Sequence, residues 1–133
     1  MRESIFDPVR KKRVALTPEE GVRQQLIQEL SLNLGYPLHL MSSEYSLVIN
    51  RLKYRGDLVI FDREANPVMI AECKSPGVKI TRESFEQIAR YNSALKVKFL
   101  LVTNGRDTFM GKIDPTDGKY IFLTEIPSYN ELS

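Results

Sequence analysis

The residues of this chain best suited to chemistry are two carboxylates and an amine, Asp57, Glu72 and Lys74. Glu72 and Lys74 end the run Val68-Met-Ile-Ala-Glu-Cys-Lys74, and side chains two apart in a strand share one face. A strand that feeds a helical crossover is buried on both faces, where ionised groups are rare without a partner. Asp57 opens the preceding apolar run, Asp57-Leu-Val-Ile-Phe61. If residues 63–66 form a four-residue loop, Asp62 pairs with Pro67 and Asp57 falls opposite Glu72, on the face of Lys74. A three- or five-residue loop separates the charges instead. In the first register two carboxylates and one ammonium converge, and carboxylates that close stay ionised together only beside a cation. Lys74 supplies one positive charge, and a divalent metal would supply the rest.

Oxygen donors with no sulfur or imidazole beside them suit Mg²⁺, or Mn²⁺ as a substitute. Such an ion polarises a phosphoryl oxygen and acidifies bound water, which phosphodiester hydrolysis requires. Lys74 would orient that water or offset charge on the phosphate. The competing arrangement is a buried Glu72–Lys74 ion pair with Asp57 capping a turn after Gly56. Chemistry alone does not choose between them.

Several elements must position these groups. Residues 1–16 read as an extended N-terminal arm, with Asp7-Pro8 a turn signal. Thr17, Pro18 and Glu20 form a helix start with a capping box; Val22, Leu26, Ile27, Leu30 and Leu34 make one apolar stripe, and Gly35 stops the helix. Strands are expected at 46–52, 57–62 and 68–74. A second helix follows Thr81, with Phe85, Ile88, Ala89 and Leu95 on its stripe. A strand over 97–103 comes next, and then a hairpin of two weaker strands, 108–113 and 120–124. The order α-β-β-β-α-β plus a C-terminal hairpin is an α/β fold with a mixed β-sheet flanked by helices.

The chain has 133 residues, which suits one domain spanning 1–133. One cysteine, Cys73, excludes an internal disulfide; one histidine, His39, excludes a zinc site of several Cys and His ligands. Cys73 reads as a core residue, and His39 has no assigned role. The longest apolar runs fall far short of the about 20 residues a membrane helix needs, and the polar start is no signal peptide, so the expected compartment is the cytoplasm. The net charge of +2 permits a polyanionic partner without demanding one, and Arg10-Lys-Lys-Arg13, taken alone, reads first as a solvated surface segment and only second as a phosphate contact.

Asp57 followed by Glu72-x-Lys74 across a hydrophobic strand resembles the PD-(D/E)xK nuclease superfamily, whose core has the restriction-endonuclease-like topology. More narrowly, the chain resembles the N-terminal nuclease domain of the R subunit of type I restriction enzymes. Asp7-Pro-Val-Arg-Lys-Lys12, Leu16-Thr-Pro-Glu-Glu-Gly-Val-Arg-Gln24, Gly35-Tyr-Pro37, Gly56-Asp-Leu-Val-Ile60, Ala71-Glu-Cys-Lys-Ser-Pro76, Gln87-Ile-Ala-Arg-Tyr91 and Thr103-Asn-Gly105 occur in the family's order. The resemblance implies a metal-dependent DNA endonuclease with Asp57 and Glu72 as metal ligands and Lys74 as the catalytic lysine. It also implies a first-helix acid, Glu20 in preference to Glu19, and active-site roles for Gln87 and Tyr91, which share a helix face at i and i+4.

The expected partners are DNA and other restriction-modification subunits, and a homodimer would supply a second centre for the second strand. No Gly-rich Lys-Ser/Thr phosphate loop occurs in these residues, so the ATP-driven motor of R subunits is not expected here. The competing function is a catalytically silent DNA-binding or assembly module with the same fold.

Overall fold

The computed structural model describes residues 3–49, 51–92, 97–114 and 116–133, side chains excepted at 47–49, 52–55 and 91–92. Its centre is a six-stranded sheet of β3 (Met41–Ile49), β4 (Leu52–Phe61), β5 (Pro67–Cys73), β6 (Phe99–Thr103), β7 (Thr108–Ile113) and β8 (Tyr120–Leu123), in that spatial order. Only β5 and β6 run parallel among the paired strands. They are joined by the crossover that contains α2 (Arg82–Asn92), because parallel neighbours cannot be linked by a tight turn. The mixed α/β architecture expected from the residue pattern is the one observed.

Alternation along the central strands sorts the core into two layers. Leu58, Ile60, Met69, Ala71, Cys73, Phe99 and Leu101 point to one side and pack with Val22, Leu26, Ile27 and Leu30 of α1 (Pro18–Gln28) and the turn after it. Val59, Ile70, Leu100 and Val102 point to the other and pack with Phe85 of α2. With α1 and α2 covering opposite faces, β5 and β6 are buried on both sides, as the near-continuous apolar runs require. The Leu95 expected on the stripe of α2 lies outside the described residues.

Gly111 on β7 makes room for the Phe85 ring of α2. A Cβ placed there would lie 2.8 Å from Phe85 Cζ and 3.2 Å from Cε1 of the same ring. Phe85 is fully buried and touches Phe109, Tyr120 and Phe122, so the ring cannot retreat freely. Gly111→Ala is therefore expected to lower stability by about 1–3 kcal/mol through overpacking, read as a fall in the urea midpoint.

Four local expectations are corrected. The N-terminal arm is not merely extended: β1 (Ser4–Asp7) and β2 (Lys12–Ala15) pair antiparallel as a hairpin. The first helix is α-helical only to Gln28, and residues Glu29–Asn33 widen into a π-helical turn before Gly35 adopts φ +75°. The capping box is half formed. Thr17 accepts from the Glu20 N–H, but the Glu20 carboxylate turns inward to arginines and Thr17 N–H donates to Ala15 O. Finally, the loop between β4 and β5 has five residues, since Phe61 pairs with Pro67.

That last correction bears on the site. A five-residue loop alone would put Asp57 on the wrong face. A β-bulge leaves Val68 unpaired, so Ile60 faces Met69 and Leu58 faces Ala71. The extra residue restores the parity a four-residue loop would have given, and the register extrapolates to Asp57 opposite Glu72.

Among the described residues no helix is long and apolar enough to cross a membrane.

Candidate active site

The β4–β5 ladder ends at Leu58↔Ala71, and the strands part just beyond it. There the Cys73 N–H, which has no ladder partner on β4, donates to Asp57 Oδ2 at 2.7 Å. The side chain of Asp57 thus replaces a main-chain acceptor and is fixed at the strand end. Among the described residues no donor reaches its other oxygen, Oδ1.

Asp57 lines a cleft of about 330 Å³ together with Glu20, Arg23, Glu44, Glu19, Thr17, Cys73 and the hairpin residues Arg10, Val14 and Ala15. Glu20 is buried in its wall. Arg23 grips it from one helical turn away, Nε to Oε2 at 2.9 Å and Nη2 to Oε1 at 2.8 Å, while Gln24 Nε2 donates to Oε2 at 3.1 Å. Arg10 reaches in from the hairpin, Nη2 to Oε1 at 2.5 Å. Burial pushes the Glu20 carboxyl up, but the bonds from Arg23, Arg10 and Gln24 outweigh it and hold the group down at about 2. Of the two first-helix acids, Glu20 is therefore the buried one; Glu19 lines the cleft but is exposed.

Arg23 is the joint of the arrangement. Besides its two bonds to Glu20, Nη1 donates to the Asp57 carbonyl at 3.0 Å, so one guanidinium ties α1 to β4. Glu44 Oε1 lies 3.6 Å from Nη2. Glu44 sits on β3 between Ser43, opposite Leu58, and Tyr45, opposite Gly56, so it is level with Asp57. Its backbone has φ +55°, a left-handed conformation uncommon for a non-glycine residue, and it interrupts the ladder there.

Cys73 also lines the cleft. Burial, with the negative charges of Asp57, Glu72 and Glu20 outweighing Arg23, pushes its thiol up to about 12, so it stays protonated and offers no thiolate.

Of the residues singled out from sequence, Asp57 and Glu20 share this cleft. Glu72 and Lys74 are half-buried on and just beyond β5 and do not line it; the Lys74 N–H donates to Thr103 O at 2.8 Å, holding the residue against β6. Gln87 is exposed on α2 and does not line the cleft, and the side chain of Tyr91 lies outside the described residues. Among the described residues no three His, Cys, Asp or Glu side chains converge as a ready cation site. Arg10, Arg23 and Glu44 were not anticipated. The spacing of Glu20, Arg23 and Gln24 at i, i+3 and i+4 signals one cluster on a helix face, whereas Arg10 and Glu44 reach it only through tertiary structure.

A family model described as Type I restriction enzyme R protein N terminus (HSDR_N) matches residues 18–127. Among solved structures, a fragment described as an HsdR subunit of a type I restriction enzyme from Vibrio vulnificus YJ016 superposes with a TM-score of 0.60 at 20% identity. The alignment covers 88% of this chain and 24% of that one, so the chain spans about a quarter of its structural relative. No curated protein matches. The match over residues 18–127 takes in both α-helices and the whole six-stranded sheet, and on it the chain belongs to the family of type I restriction enzyme R protein N termini.

Proposed function

We propose that this domain hydrolyses DNA phosphodiester bonds as an Mg²⁺-dependent endonuclease centre, Mn²⁺ serving as a substitute. The observation that carries this reading is Asp57, pinned through Oδ2 at the point where two central strands part, with Oδ1 left over in a cleft shared with an ionised Glu20. The donor chemistry fits a hard divalent cation. Four carboxylates of the lining (Glu19, Glu20, Glu44, Asp57) face two guanidiniums, and the nearby thiol is protonated.

Asp57 would hold the ion from the cleft, and Glu72, which lies on β5 outside the cleft lining, would have to turn toward it to be the second ligand. The ion when bound supplies Lewis acidity and a more acidic water. Glu20, kept ionised by Arg23, would accept a hydrogen bond from that water. Lys74 would place a positive charge by the scissile phosphate, and Gln87 and Tyr91 would contact the substrate from α2. DNA is the proposed substrate, with other restriction-modification subunits as proposed partners.

The opposing observation is that every oxygen of Glu20 is already bonded by Arg10, Arg23 or Gln24. It favours a second reading, a silent DNA-binding or assembly module. The test is plasmid cleavage with and without Mg²⁺, alongside a melting curve. A bound ion at a hundredfold excess over its Kd stabilises the native state by about 2.7 kcal/mol, which raises Tm by several degrees. Cleavage with that shift supports the nuclease. DNA binding with neither cleavage nor shift supports the module.

A further inference from the structure

We propose that the N-terminal hairpin is a DNA-backbone arm whose two exposed lysines, Lys11 and Lys12, contact phosphates at the mouth of the cleft. This rests on the reading of DNA as substrate. The block Arg10-Lys-Lys-Arg13 looks uniform in sequence, but the structure divides it among three tasks.

Arg10 is turned inward and anchors the tip of the hairpin. Its Nε donates to Asp7 Oδ2 and its Nη2 to Glu20 Oε1. Asp7 is fully buried, and its other oxygen accepts from the Val9 N–H at 2.8 Å, while its carbonyl accepts from the Lys11 N–H at 2.7 Å. Val9 packs on the α1 side of the core. A hairpin tip is ordinarily its most mobile part; this one is bonded into the cleft wall.

Arg13 is used internally, bracing the two strands through Ser4 Oγ at 2.9 Å and Ser4 O at 3.0 Å. Lys11 and Lys12 are left. Both are exposed, and among the described residues neither ammonium has a hydrogen-bond or ion-pair partner. Neither lysine lines the cleft, but both adjoin residues that do: Lys11 follows Arg10 directly with its backbone at φ +56°, and Lys12 opens the strand that carries Val14 and Ala15.

Position and charge together point to a phosphodiester backbone. A strand approaching Asp57 meets more carboxylates than guanidiniums in the cleft lining. Two unpartnered ammonium groups on a rigid tip beside it offset that repulsion and cost little ordering, because the backbone that carries them is already fixed.

The experiment is equilibrium binding of a labelled DNA duplex across a salt series, with Ca²⁺ present instead of Mg²⁺ to suppress cutting. The wild type is compared with Lys11→Gln/Lys12→Gln and with Arg63→Gln/Lys119→Gln. The second pair removes the same charge from exposed positions at the opposite end of the sheet, in the β4–β5 and β7–β8 loops. Each phosphate contact carries about 0.9 of the slope of log K against log[salt], so the arm variant is expected to lose about 1.8 of slope and, with affinity at about 1 M salt unchanged, bind about 60-fold more weakly near 0.1 M salt. The distal variant should stay close to wild type. If wild-type protein binds but the arm variant binds equally well, or the distal variant loses as much, the arm proposal is overturned while DNA remains the substrate. If wild-type protein binds no DNA, the underlying reading fails and takes the arm with it.

Discussion

Asp57→Asn is expected to reduce Mg²⁺-dependent DNA cleavage by roughly a hundredfold to a thousandfold, the usual loss when one group that stabilises transition-state charge is removed, while leaving the fold nearly as stable. The separation follows from the two oxygens of Asp57. One accepts the Cys73 N–H at 2.7 Å, and asparagine retains a carbonyl oxygen for that bond. What asparagine loses is the negative charge at the second oxygen, the part assigned to the metal. Asp57→Ala removes both functions. It strands the Cys73 N–H at the end of β5 and should cost a further 1–3 kcal/mol or so of stability. Plasmid nicking at saturating Mg²⁺ gives the first quantity and urea unfolding the second. The metal-induced rise in Tm should vanish in both variants. An Asp57→Asn protein that cuts at the wild-type rate would remove Asp57 from the chemistry and leave it a structural cap on β5.

How far such a site is readable from residues alone depends on which distances are local. Strand alternation and the extent of the apolar runs suffice for β5, β6 and the second half of β4, where apolar residues run continuously. The strand expected at 46–52 instead straddles the end of β3 and the start of β4, and the first half of β4 was not read. The pairing of Asp57 with Glu72 was reachable only as a conditional statement about loop length. The condition failed, since the loop has five residues; the bulge at Val68 restores the same parity over the observed pairs, which end at Leu58↔Ala71, one short of Asp57 and Glu72. Bulges follow from the competing demands of twist and core packing, which no short window of sequence contains.

The hairpin was missed for a related reason. Ser4–Asp7 and Lys12–Ala15 are short and mostly exposed, so they carry almost no periodic signal. What holds them is the burial of Asp7 and Val9 and the reach of Arg10 to Glu20, all made across the tertiary structure. Glu44 gave no warning either, because a left-handed residue within a strand is normally a glycine or asparagine. Glu20 was legible in identity but not in state. The helix start marked it as a capping residue, whereas the folded chain uses only its N–H for the cap and gives its carboxylate to Arg23, Gln24 and Arg10.

The state of Glu20 leads to the second large effect. Arg23→Met is expected to destabilise the domain by about 3–5 kcal/mol at neutral pH, the usual cost of breaking a buried ion pair from one side. Methionine fills much of the volume of the arginine stem, so the loss is electrostatic and hydrogen-bonding in origin. Glu20 would keep only Arg10 and Gln24, and the Asp57 carbonyl would lose its donor, loosening α1 from β4. The pH dependence identifies the cause. The Glu20 carboxyl sits near 2 in the native state against an ordinary 4.5, so it contributes stability that is fully present above about pH 4.5 and is lost as pH falls through about 2. Without Arg23 the native value rises toward the ordinary one. The variant's deficit should therefore be large at pH 7 and shrink as pH falls below about 4.5, where Glu20 takes up a proton in the unfolded chain and in the variant but not yet in the native wild type. Glu20→Gln/Arg23→Met, which removes the stranded charge as well, should recover part of the stability at pH 7 but none of the cleavage. Urea titrations of the three proteins between pH 3 and 7 measure all of this. A deficit below about 1 kcal/mol that does not change with pH would mean solvent screens the pair, and Arg23 would then have no claim to hold the cleft together.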